Sequence, residues 1–199
     1  MMLPRLNEPN ERITAIMRYF TADIWAGWQR KGAAFDRAQR KWEKNLARYK
    51  ASLRRVAPRL GKRHGRFFTH HSLHDGRVLF FAVSDWPSPT WQKGMVPETR
   101  VKMMVLAGTT RVIVYSLSYT GVSDISVRTK NDLFPLANSR FGDWGYDELL
   151  PERRGSFRHN ILFQTGTEVS VAFRYFRFSV MRGTPKLLKW YNQSRLAQK

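Results

Sequence analysis

From residue 33 onward, apolar side chains recur at steps of three and four: Phe35, Ala38, Trp42, Leu46, Tyr49, Leu53, Val56 and Leu60. That spacing places them on one stripe of a helix. Upstream, Ile24, Trp25 and Trp28 also sit at helical spacing, with Thr21 suited to the N-cap and Asp23 to the positive end of the helix. Gly27 and Gly32 weaken this segment without ending it. Pro58 stops or kinks the helix near residue 57, and Gly61 and Gly65 mark the break. The pattern predicts one long helix, or a broken pair, over about residues 22–57.

Beyond residue 65 the pattern changes to that of strands. Arg66 to His74 and Arg77 to Val83 flank Asp75-Gly76, a dipeptide suited to a tight hairpin turn. After a Pro- and Trp-rich loop over residues 84–98, strands are predicted at Thr99 to Ala107, Arg111 to Tyr119 and Asp124 to Arg128. Residues 130–156 read as an irregular connection. Phe157 to Gln164 and Thr167 to Met181 form a second hairpin about Thr165-Gly166. In that last run Val169, Val171, Phe173 and Tyr175 share one face, whereas Phe176, Phe178 and Val180 share the other. The change of phase implies either a bulge or a strand buried on both sides. Lys186 to Ala197 is read as a short closing helix.

The expected fold class is therefore α+β: a long N-terminal helix or broken helical pair packed on a mainly antiparallel β body, with a short C-terminal helix. A single domain spans residues 1–199, divided into an extension (1–16), a helical arm (17–62), the β body (63–184) and the closing helix (185–199). Ile13 to Phe20 is an apolar stretch that fits either a strand or a helical turn.

Composition adds a partner class. The 199 residues carry 35 Lys and Arg against 15 Asp and Glu, a formal charge of +20. Such an excess repels itself in the compact state and attracts nucleic acid, acidic proteins or lipid headgroups. No cysteine is present, so disulfides, thiolate nucleophiles and cysteine-ligated zinc are excluded. The longest apolar run, Val78 to Val83, is far shorter than the roughly 18–20 residues of a membrane span. With no apolar stretch of a signal peptide, the expected location is cytoplasmic.

The charge is concentrated in the arm. Between Arg30 and Arg66 there are 14 Lys or Arg and two acids, Asp36 and Glu43, a net +12. Arg37 with Lys41, Arg40 with Lys44, Lys44 with Arg48 and Lys50 with Arg54 are like-charge pairs four residues apart. Each opposes the helix by about 0.2–0.5 kcal/mol. Solvated helix faces normally mix signs and gain the attractive pairs that are missing here. The candidate polyanion-binding residues are Arg37, Arg40, Lys41, Lys44, Arg48, Arg55, Arg59, Lys62 and Arg63. Contacts from such residues go to phosphates and carry no sequence information. The run Phe173-Arg174-Tyr175-Phe176-Arg177-Phe178 mixes aromatic and basic residues but lacks the glycines of the RNA-recognition-motif signature, so its aromatics are assigned to the core. Trp86 and Trp91, in the Pro-rich loop, either cover a core edge or stack on bases.

Chemistry-bearing residues are few. His70, His71, His74 and Asp75 lie within six residues, and His159 lies in a distant predicted strand. Imidazoles with a carboxylate are metal ligands. If Thr69 to His74 is a strand, His70 and His74 share a face and His71 opposes them, leaving further ligands to Asp147, Glu148 or His159. Asp147 and Glu148 are adjacent and diverge in a strand, so they cannot act as paired carboxylates on one substrate. The phosphate-cradling glycine loop, the nucleophile-elbow serine and the paired-histidine protease helix are absent. No cofactor is expected.

Several short stretches resemble a bacterial family catalogued only as a domain of unknown function. They are Met17-Arg18-Tyr19-Phe20-Thr21 with Trp25, Leu73-His74-Asp75, Tyr146-Asp147-Glu148-Leu149, and His159-Asn160-Ile161-Leu162-Phe163 with Gly166 and the strand after it. The resemblance spans residues 17–180. It implies a chain proper that begins near Met17 and a helical part on a strand-rich part, and it brings no activity, cofactor or catalytic residue. The leading expectation is a non-catalytic binding protein whose basic arm meets an acidic macromolecule, nucleic acid or acidic protein. The alternatives are a small metal-dependent hydrolase built on His74, Asp75 and His159, with Asp147 or Glu148, and an immunity-like or accessory protein-interaction subunit.

Overall fold

The apolar stripe of residues 33–60 is the face by which the arm attaches to the rest of the molecule. A computed structural model describes residues 16–86, 98–108, 113–129 and 141–187, with positions 189 and 193. In it the arm is a broken pair, α1 (Ala22–Trp28) and α2 (Ala33–Val56), interrupted at Gly32. A 3-10 turn, Ala57–Leu60, follows with Pro58 in its first positions, so the helix ends where the proline requires. Ala38, Tyr49, Leu53 and Val56 are buried, and Trp42, Leu46 and Leu60 pack against the core. Phe35 is the exception, 37% exposed, with its ring 6.3 Å from Trp28. Thr21 occupies the N-cap of α1 and its carbonyl accepts from Ile24 N and Trp25 N, but its side chain makes no capping bond.

The β body consists of two four-stranded antiparallel sheets. The first has β1 (Arg77–Trp86), β2 (Glu98–Ala107), β3 (Ile113–Thr120) and β8 (Tyr175–Arg182), in the order β1-β2-β3-β8. The second has β4 (Asp124–Arg128), β5 (Trp144–Pro151), β6 (Phe157–Phe163) and β7 (Glu168–Phe173), in the order β4-β7-β6-β5. Alternate residues of β2 and β3, including Val101, Met103, Val105, Leu117 and Tyr119, join Ile161, Phe163, Val169, Val171 and Phe173 in one core. No helix among the described residues is long and apolar enough to cross a membrane. The C-terminal helix starts at Pro185, and Leu187 packs on a small second cluster around Leu106 and Val114.

Three expectations are corrected. Arg66 to His74 is not a strand: residues Lys62–His70 form a helix, α3, and Asp75-Gly76 turns from it into β1 rather than closing a hairpin. Phe67 and Phe68 decide this. On adjacent helical positions both rings reach the core, Phe67 against Phe178 at 4.9 Å and Phe68 against Phe176 and His159 at 5.0 Å each. In a strand one of them would face away. Residues 144–151 are not irregular but form β5. Its Gly145 sits at a register shift, where a Cβ would approach the Leu162 carbonyl oxygen to 2.8 Å. Thr167 to Met181 is two strands: β7 is buried on both faces, and at Arg174 the chain leaves one sheet for the other. That crossing is the origin of the phase change. Trp86 ends β1, while Trp91 lies outside the described residues.

The helical layer contains one backbone approach that tolerates no side chain. A Cβ on Gly65 of α3 would lie 2.2 Å from the Ala57 carbonyl oxygen. Helix propensity alone favours Gly65→Ala by about 1 kcal/mol. The approach predicts the opposite sign, a loss of about 1–3 kcal/mol as the 3-10 turn is pushed off α3. Urea unfolding of the variant checks it, and a raised midpoint would contradict the packing.

Candidate polyanion-binding site

At 3.6 residues per turn, Arg37, Lys41, Lys44, Arg48 and Arg55 fall within about 60° of one another round α2, with Arg40 about 40° further on. All six are exposed. The two carboxylates of the helix, Asp36 and Glu43, lie about 100° or more round the axis from the centre of this stripe, on the flank that carries Lys50 and Arg54. Glu43 accepts from Gln39 Nε2 at 3.1 Å. No described carboxylate lies within ion-pair distance of the stripe. Asn45, Tyr49 and Ser52 are buried about 50–110° round the axis from the centre of the stripe, which fixes the rotation of the helix and leaves the cations on an exposed flank beside the packed face.

The positive surface continues past the break. Lys62 and Arg63 occupy the first turn of α3, which has no acidic residue and no side-chain cap. Carboxylates normally favour that position, because the helix dipole is positive there, so the two cations add to an already positive end. Arg59 lies over the Phe157 ring at 5.3 Å and Arg63 over the Phe178 ring at 5.9 Å, which directs both toward the β body. There they line two clefts together with cations on the first sheet. One cleft, of about 700 Å³, takes Arg59, Arg100, Arg174 and Arg177; its neighbour, of about 750 Å³, takes Arg63, Arg100, Lys102 and Arg177. Sequence reasoning noted Arg174 and Arg177 in the mixed aromatic and basic run without assigning them to a site, and it missed Arg100 and Lys102. Their signal was period two, Arg100 with Lys102 on one strand and Arg177 on another, and it is faint beside the local density of the arm.

The histidine and carboxylate candidates divide into three places. His159, with no exposed surface, lies between Asp147 Oδ2 at 3.1 Å from Nε2 and the Tyr119 hydroxyl at 2.7 Å from Nδ1. Trp144 Nε1 donates to Asp147 Oδ1 at 3.1 Å. A carboxylate, an imidazole and a hydroxyl in series form the skeleton of a nucleophile relay. Here the hydroxyl is fully buried, its acidity suppressed by burial and then by the Asp147 charge, so it is held as a neutral donor. The chain bridges the two sheets. His74 and Asp75 form a separate exposed pair, Nδ1 to Oδ1 at 3.1 Å, with the imidazole 5.5 Å from the Tyr146 ring. His70 ends α3 beside the Thr69 hydroxyl at 2.6 Å, and His71 stacks on Phe67. Among the described residues, no three His, Asp or Glu side chains are placed to hold a metal ion.

Glu148 points away from Asp147, as adjacent strand residues must, onto the outer face of the second sheet. It is fully buried and accepts from Arg18 N, from Tyr19 N at 2.8 Å and from Asn160 Nδ2 at 3.2 Å. Asn160 also donates to the Ile16 carbonyl at 2.7 Å and accepts from Ser170 at 2.8 Å. This is structural ligation of the segment that leads into α1.

Comparison with protein-family models, with curated proteins and with solved structures gives no match for this chain.

Burial holds the Glu148 carboxyl above its ordinary value, with the backbone donors pulling it partly back. In the window between the unfolded and folded values the native state retains a proton that the unfolded chain has released. Stability from this group is therefore greatest at low pH and declines as pH rises through that window. Glu148→Gln removes the titration. The wild-type advantage over the variant should shrink as pH rises above the ordinary carboxylate value, as read from urea midpoints across pH. A constant or growing difference would contradict the burial argument.

Proposed function

We propose that this protein is a non-catalytic binding protein whose basic helical face docks on an acidic macromolecule. The observation that carries this reading is the segregation of sign on α2: five cations lie within about 60°, and both acids of the helix lie on another flank. Solubility alone would be served equally by mixed charges, which also stabilise the helix through pairs four residues apart. A face that opposes its own helix becomes favourable when an anion neutralises it. With phosphates as the anion, each neutralised phosphate releases condensed counterions, and affinity falls steeply with salt.

The metal-dependent hydrolase reading draws little support from the site. His159 is sealed between the sheets, and His74 with Asp75 lies on the surface apart from it.

The charge pattern makes stability and binding respond in opposite directions. Lys44→Glu converts two repulsive pairs, with Arg40 and Arg48, into attractive ones and should raise stability by about 1 kcal/mol at low salt. The triple variant K41E/K44E/R48E should weaken binding to heparin and to generic nucleic acid, and reduce the slope of log affinity against log salt by about 2–3. Thermal melts and salt-dependent titrations measure the two effects. Unchanged affinity with a raised melting temperature would end the proposal, because the charges would then serve no partner.

A further inference from the structure

The outer face of the first sheet presents a second ordered array of cations. In the ladder Lys102 is opposite Ser118, and Ser118 is opposite Arg177, so a cation, a hydroxyl and a cation cross three strands in one row. With strands about 4.8 Å apart, the two cations flank the hydroxyl at about 5 Å on either side. Two residues along each strand, Arg100, Thr120 and Tyr175 hold the corresponding positions on the same face. The step between rows is about 7 Å.

Arg59 and Arg63 reach into this array from the 3-10 turn and from α3, making one wall of a groove whose floor is the sheet. The two clefts share His64, Arg100, Ser118 and Arg177, so they form one elongated depression. Among the described residues, the one carboxylate lining them is Glu98, which lies 3.6 Å from Arg100. Tyr175, expected in the core with the other aromatics of its run, instead stands at the rim with 58% of its surface exposed, because it lies on the outer face of β8, whereas its neighbours Phe173 and Phe176 are buried in the core. The groove thus offers regularly stepped cations, hydroxyl donors between them and one free aromatic plane.

We propose that this groove takes a single-stranded segment of nucleic acid, with phosphates on Lys102, Arg177 and Arg63 and a base stacked on Tyr175. The inference rests on the polyanion reading above and gives it a second surface and a ligand class. An extended strand alternates phosphates with bases, and the row of cations beside a ring meets both. A duplex keeps its bases stacked inside and its backbones convex, so it can neither enter a depression of this size nor present a base to Tyr175. An acidic peptide would match the charge but leave the exposed ring without a stacking partner.

Fluorescence anisotropy on the full chain tests this. The probes are a labelled oligouridylate of about twelve nucleotides, a duplex of equal length, and polyglutamate of equal charge as competitor. The single strand should bind more tightly than the duplex at near-physiological salt, and polyglutamate should compete poorly. Tyr175→Ala should weaken single-strand binding by about five- to a hundred-fold, while Tyr175→Phe, which keeps the ring, leaves it little changed. K102E/R177E should remove the preference for single strands, with melting temperatures confirming that each surface variant folds. Equal binding of duplex or polyglutamate, or an unaltered affinity in Tyr175→Ala, would overturn the groove assignment. If K41E/K44E/R48E abolishes binding and K102E/R177E does not, the helical face stands and the groove falls. Failure of the wild-type chain to bind any of the three polyanions would overturn both.

Discussion

Glu148 is a carboxylate with no exposure to water, and the positions of α1 and α2 follow from how its charge is satisfied. An isolated buried carboxylate is prohibitively costly, so its lone pairs must meet donors. Those donors are the main-chain N–H groups of Arg18 and Tyr19 and the amide of Asn160. The segment before α1 is thereby stitched to the second sheet by side chains instead of a backbone ladder. Asn45 of α2 then donates to the Tyr19 carbonyl, and the Tyr49 hydroxyl accepts from Leu149 N on the edge strand β5, which α2 covers there. The helix is thus fixed in both position and rotation. Its apolar arc faces Phe20 and Tyr146, and its cationic arc has no choice but solvent.

The same economy governs the other acids. The chain has 15 carboxylates against 35 fixed cations, and several of those with defined partners hold the β body and the segment before α1 together. Asp143 meets Arg77, Asp147 meets His159, and Asp124 and Glu152 both meet Arg158. Glu168 receives Ile16 N. Acids that could have moderated the surface are consumed in locating strands and tethering the N-terminal segment. The field outside the molecule is therefore dominated by one sign along α2, α3 and the first sheet, which is the condition for steering an anionic partner over distances of a Debye length.

What could be read from the sequence follows from whether an element's reasons are local. For α2 they are: the stripe that shows its period is the stripe that it buries, and Pro58 ends it by covalent geometry. The strand Asp124–Arg128 and the β6–β7 hairpin were legible for the same cause, with alternation or a turn dipeptide close at hand. For β5 the reasons are distant. Gly145, Asp147 and Glu148 are poor strand formers, justified by the Leu162 carbonyl, the His159 ring and the Arg18 amide. In α3, Phe67 and Phe68 are adjacent and show no period, so only the core that they enter distinguishes helix from strand. The arm half of the cationic surface was visible as density along the chain, but the sheet half depends on pairing, which brings Lys102 and Arg177 across Ser118 from positions 75 residues apart.

The short stretches that stand out in the sequence meet in space, and this separates scaffold from surface. Residues 17–20 lie on Glu148, Glu148 on Asn160, and Leu73 enters the core beside a turn whose Asp75 N donates to the Trp144 carbonyl at 2.8 Å. None of the cations on the exposed arc of α2 takes part in that network. Their removal would leave every interaction that defines the fold in place and would relieve repulsion between neighbouring turns. The fold therefore supplies no internal reason for these charges, and the proposed docking on an acidic macromolecule supplies an external one. In the proposed function, the arrangement of those charges, on one arc and in one groove, suits an anionic partner large enough to bridge several of them at once.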